Sequence, residues 1–153
     1  MIVSENHTCR CWVYVRGYGI GPSALIRQMS TLLDTAEQRG FTVVGQSQEI
    51  SSGTTLRRIG LQEALRAVRL GYANAILTHS VFHLSVDRTV LLRVLEIMQD
   101  HHAVLICTAE DTYTCLYNIG LSPQLYQRSL NLTLGLPWPN NDRNMEKDNN
   151  DSK

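Results

Sequence analysis

Short continuous apolar runs alternate along this chain with longer stretches in which apolar residues recur at every third or fourth position. Residues 9–16 alternate and then run apolar through Trp12, Val13, Tyr14 and Val15, which predicts a central strand. Pro22 then stands at a first helical position, and Leu25, Ile26, Met29, Leu32, Leu33 and Ala36 form one stripe of a helix that Gly40 ends. Residues 41–44 predict a second strand, followed by a polar, flexible stretch over 46–55 that holds Glu49 and Ser51-Ser52-Gly53. A second helix opens at Gly60 or Leu61, continues through Ala64, Leu65 and Val68 and stops at Gly71. A third strand over 73–77 precedes a third helix, capped by Ser85 with Asp87 and buried along Val90, Leu91, Val94, Leu95 and Met98. Residues 103–107 are the fourth strand.

Strand and helix thus alternate four times. That order predicts an α/β three-layer sandwich around a mainly parallel sheet of four to five strands. Beyond Thr112 the periodicity fades: a short helix fits somewhere in 113–134, and from Pro137 the chain is polar enough to be disordered. The expected organisation is a polar lead over 1–8, one domain over 9–122 and an irregular tail over 123–153.

The 153 residues carry no net charge, so no global basic field favours nucleic acid, and DNA binding would have to rest on a local cluster. Arg57, Arg58, Arg66 and Arg69 form one, mostly on a predicted helix where a solvated face is the ordinary reading. No apolar run suits a membrane span, and MIVSENHT has no secretion pattern, so a cytoplasmic protein with reduced Cys9, Cys11, Cys107 and Cys115 is expected. His7, Cys9 and Cys11 lack the second spaced pair of a zinc site, and His79, His83, His101 and His102 have no metal-ligand spacing. No metal and no cofactor are expected.

The first strand delivers Arg16 to the carboxyl edge of the sheet, where ligands gather in open α/β folds. Gly17, Gly19 and Gly21 follow it. Their spacing departs from a dinucleotide fingerprint and fits a tight turn, although a glycine loop before a helix also suits a small anionic ligand. Arg16 and Arg58 at this edge suit either a phosphodiester or a structural ion pair with Glu49.

The order of these motifs resembles the catalytic domain of the serine recombinases, the resolvase and invertase family. Over roughly residues 10–110, Tyr14-Val15-Arg16-Gly17-Tyr18 stands for the family's Y-x-R-V-S, and Gln28 for a glutamine of the next helix. Glu49 precedes Ser52-Gly53 as the family's acid precedes S-G. Arg58-Ile59-Gly60-Leu61 keeps R-x-G-L. Phe82-His83-Leu84-Ser85-Val86 stands where the family has D-R-L-x-R. The resemblance implies a serine after the first-strand arginine that attacks a DNA phosphodiester, and an acid with two arginines that orient it and stabilise the transferring phosphoryl group. Here Gly17 and Tyr18 follow Arg16, and Phe82, His83 and Val86 replace the acid and the arginines.

The expectation is a recombinase-like domain with a degenerate site. Arg16, Gln28, Glu49 and Arg58 are its remnants, and Arg16 with Arg58 would form a residual anion pocket. DNA would bind weakly to this chain alone, and self-association or pairing with an active recombinase would be its working mode. Two alternatives stay open: a divergent recombinase using Tyr18 or Ser85 as nucleophile, and a small-ligand α/β domain.

Overall fold

In the computed structural model of the protein, residues 8–17, 19–52 and 58–109 are described. Strand β1 (Arg10–Gly17) lies inside the sheet, flanked by β2 (Thr42–Ile50) and β3 (Ala75–Thr78), with β4 (Val104–Cys107) beyond β3. The order is β2-β1-β3-β4, and every pairing is parallel. This is the α/β architecture expected from the alternation of elements.

Side chains of a strand point alternately to its two faces, so β1 builds two cores at once. Cys11, Val13 and Val15 face helix α1 (Pro22–Gln38), meeting Leu25, Met29, Leu32 and Ala36 together with Ala75, Leu77, Val104 and Ile106. Tyr14 faces the other side, where helix α2 (Ile59–Arg69) and helix α4 (Arg88–Asp100) bring Leu61, Leu65, Val94, Leu95 and Met98 against Ile76 and Leu105. The periodic stripes read from the sequence are these buried faces.

Strand β2 departs from the expectation. It runs through Ile50 rather than ending at Val44, so Glu49 lies on a paired strand opposite Arg16 and not in a flexible loop. The apolar pattern fails there because the half-buried positions are Gly45, Ser47 and Glu49, a bare backbone and two polar groups with built partners. Ser47 accepts from Trp12 Nε1 at 2.8 Å and donates to the Gly60 carbonyl at 2.8 Å. A bulge between Cys11 and Trp12 shifts the register, so that Trp12 pairs with Gly45. The indole lies where any side chain at 45 would stand, a Cβ there falling 2.2 Å from the ring.

One element was not expected. Helix α3 (Val81–Leu84) is a single turn between β3 and α4, too short to show periodicity. Ser80 caps it by accepting from Phe82 N, and Asp87 caps α4 by accepting from Val90 N at 3.0 Å. Ser85 therefore serves the turn between the two helices, its hydroxyl accepting from Asp87 N at 2.9 Å and donating to the Asp87 carbonyl at 3.1 Å. Among the described residues no helix is long and apolar enough to cross a membrane. The expectations for Tyr18, Arg57, Cys115, His7, the lead over 1–7 and the chain from 110 onward lie outside the described residues.

Candidate active site

The carboxyl ends of β1 and β2, the start of α2 and the turn α3 meet at one edge of the sheet. Glu49 sits at its centre as an acceptor. Its carboxylate receives the backbone N–H of Gly60 at 3.0 Å, that of Leu61 at 3.1 Å, and the Tyr14 hydroxyl. The N-cap residue of α2 is Arg58, which has no side-chain oxygen to offer the first turn, so Glu49 supplies the cap from the neighbouring strand. Gly60 permits this approach, since a Cβ there would stand 3.1 Å from the carboxylate carbon. The Tyr14 hydroxyl is raised well above the ordinary tyrosine range, chiefly by burial and then by its hydrogen bond to Glu49. It acts as a donor.

Arg16 and Arg58 come together as the motif order implies, and both are buried, at 7% and 3% exposure. Their donors point at backbone carbonyls. Arg16 gives Nε to His83 O at 3.1 Å, one terminal nitrogen to Phe82 O at 2.6 Å and the other to Ser51 O at 2.7 Å. Arg58 gives one nitrogen to His83 O at 3.4 Å and the other to Leu84 O, and its guanidinium lies 6.0 Å from the centre of the Tyr14 ring. A four-residue helix leaves its carbonyls without intrahelical partners. Here the Ser85 N–H takes that of Val81, and two guanidinium groups take those of Phe82, His83 and Leu84. Among the described residues Arg16 forms no ion pair with Glu49. Burial, and then the charge of Arg58, lower the Arg16 pKa, but a guanidinium remains a cation throughout the working range.

The substituted positions are equally specific. At Gly17 a Cβ would fall 2.7 Å from Ile20 Cγ1 and 3.2 Å from Leu25 Cδ1, so a side chain there displaces Ile20. Phe82 and Val86 are exposed apolar residues, at 44% and 55%. The imidazole of His83 is largely buried, with Nδ1 unpartnered among the described residues, and its ring centre lies 5.7 Å from that of His79.

Burial, then the nearby His79 and Arg16, lower its pKa from 6.5 to about 4. The unfolded chain therefore binds this proton more readily than the folded one between those values. Stability is expected to fall as pH drops from 6.5 toward about 4, and His83→Gln should flatten that slope in denaturant titrations repeated across the interval.

Gln28 does not join this cluster. It lies on α1 and lines a separate cavity with His79 and Thr108. Motif spacing pointed to Arg16, Glu49 and Arg58. It gave no sign of His79 and Thr108, or of the carbonyls of Ser51, Phe82, His83 and Leu84, because main-chain acceptors leave no trace in residue identity.

The family model for the resolvase N-terminal domain matches residues 18–120, more than half of the chain. No curated protein matches it. Among solved structures, the N-terminal catalytic domain of TP901-1 integrase is similar at 17% identity with a TM-score of 0.60, covering 72% of this chain and 90% of that one. The C-terminal catalytic domain of ISC1926 TnpA, an IS607-like serine recombinase, is similar at 20% identity and a TM-score of 0.61, covering 72% and 77%. A resolvase family site-specific recombinase from Streptococcus pneumoniae is similar at 22% identity and a TM-score of 0.56, covering 69% and 74%. At these identities the likeness is one of fold.

Proposed function

Because the chain belongs to the resolvase family of serine recombinases, we propose that it keeps the family's catalytic fold without its chemistry and acts through protein association. The observation that carries this is the occupation of the site. The guanidinium groups of Arg16 and Arg58 are tied to the carbonyls of α3, and the residue after Arg16 is a glycine whose side-chain space holds Ile20.

A covalent route needs a nucleophile held in line with the phosphorus and cations aimed at the charge that develops. Gly17 offers no hydroxyl. Ser85 is buried, and its hydroxyl is engaged with the backbone of Asp87. Where the family pattern has an acid and its last arginine, Phe82 and Val86 present apolar surface, and Ile50 and Ile59 on the adjoining strand end and helix start are also exposed. A rim of that composition suits a protein better than a phosphate backbone. The partner is a second copy of this chain or an active recombinase carried on the same mobile element, and DNA contact by this chain alone is weak.

Incubation with supercoiled DNA carrying sites from its own element, followed by denaturing electrophoresis, should give no covalent protein–DNA adduct while an active relative forms one on its own site. Gly17→Ser should not create an adduct and should cost about 1 kcal/mol, since Ile20 must move aside. An adduct from the unaltered chain would establish a substitute nucleophile and overturn the reading. The association half fails if the chain elutes as a monomer both alone and mixed with the active recombinase.

A further inference from the structure

A second concavity lies on the opposite side of the sheet, between α1 and the carboxyl ends of β3 and β4. Its volume is about 470 Å³, a size that holds a small metabolite. Arg27, Gln28, Thr31, His79 and Thr108 line it beside the apolar Ala24 and Leu32, and among the described residues no carboxylate takes part. Arg27 is exposed and forms no ion pair among the described residues. Gln28 Oε1 is buried and has no hydrogen-bond partner among them.

The hydroxyl of Thr108 lies 2.9 Å from His79 Nδ1 and donates to the His79 carbonyl at 3.4 Å. In the tautomer in which that hydroxyl accepts from Nδ1–H, the other ring nitrogen of His79 is left as an acceptor. The wall therefore offers one cation, one buried acceptor without a partner, Gln28 Oε1, and the exposed ring of His79 as a further hydrogen-bonding group. A buried acceptor without a partner is costly, and a ligand that donates to it removes that cost.

We propose that this cavity binds a small organic phosphate bearing hydroxyl groups, its oxyanion on Arg27 and its hydroxyls donating to Gln28 Oε1 and His79. The site does not depend on whether recombination chemistry survives, because it shares no residue with the Arg16, Glu49 and Arg58 cluster. The two are adjacent all the same. His79 packs its ring on His83, whose carbonyl receives both arginines, so the imidazole resonances of His83 report occupancy.

Ribose 5-phosphate, ribose and inorganic phosphate are the probes, tested on the whole chain by thermal unfolding and by NMR of the histidine rings. Ribose 5-phosphate at about ten times its dissociation constant should raise Tm by roughly 5 °C and shift the His79 and His83 signals, whereas ribose should do neither. Arg27→Ala and Gln28→Leu, each at a position that supports no core contact through its polar end, should keep the fold and lose the response. No response to ribose 5-phosphate, an equal response to inorganic phosphate, or an undiminished response in both variants overturns the proposal.

Discussion

Glu49→Ala should lower the unfolding free energy by about 3 kcal/mol in denaturant titration. The carboxylate caps α2 across the sheet through Gly60 and Leu61, and loss of a cap costs about 1 kcal/mol. It is also the acceptor for the Tyr14 hydroxyl on a side chain with 0% exposure, and a buried donor left without a partner costs about 1–3 kcal/mol more. These two effects act on different groups, so they separate by experiment. Tyr14→Phe removes the stranded hydroxyl, and the Tyr14→Phe/Glu49→Ala pair should therefore be less destabilised than the sum of the single variants. Strict additivity would show that the carboxylate acts on α2 alone.

Arg16→Ala is the second large effect, with an expected loss of about 2–4 kcal/mol, since hydrogen bonds from a charged group count for more than neutral ones and three of them, to Ser51, Phe82 and His83, are lost together. The damage should be local before it is global. Arg16 joins the end of β2, through Ser51, to the turn α3, so amide exchange at residues 81–85 should accelerate ahead of that in β1 and β3. Arg16→Lys keeps the charge but offers one compact donor group in place of a planar fork, and should recover only part of the loss. Arg58→Ala combined with Arg16→Ala should cost more than the sum of the single variants, because the two share the His83 carbonyl and only the double variant strips it of both donors. A change under about 0.5 kcal/mol for Arg16→Ala would mean that these contacts carry no stability.

Much of the fold was legible because the helices bury single stripes: Leu25, Met29, Leu32 and Ala36 face the sheet as their spacing implies, and so do Leu91, Val94, Leu95 and Met98. Strand β2 was legible only to Val44. Its inward positions are Gly45, Ser47 and Glu49, which read as a loop because their burial rests on Trp12, on the Gly60 carbonyl and on the α2 N-terminus, all distant in sequence. Helix α3 escaped notice for a related reason, being one turn held by two arginines from elsewhere in the chain. The motif order did locate Arg16, Glu49 and Arg58 at one edge. What those groups touch there could not be read, since the same guanidinium serves a phosphate or a carbonyl equally well. Gln28 shows the limit of carrying a motif residue across, because a helical position fixes neither the face nor the cavity it lines.

In the function proposed above, the charged residues of a recombinase site hold the domain together instead of receiving DNA. The most direct test follows the side-chain N–H resonances of Arg16 and Arg58 by NMR while a short duplex, and separately sulfate, is titrated in at low salt. These resonances should be slow to exchange in the free protein, as donors bound to buried carbonyls are, and neither anion should shift them. Saturable shifts of both guanidinium groups, lost in the Arg16→Lys/Arg58→Lys variant, would mean that the pair still forms an anion pocket and would contradict the claim.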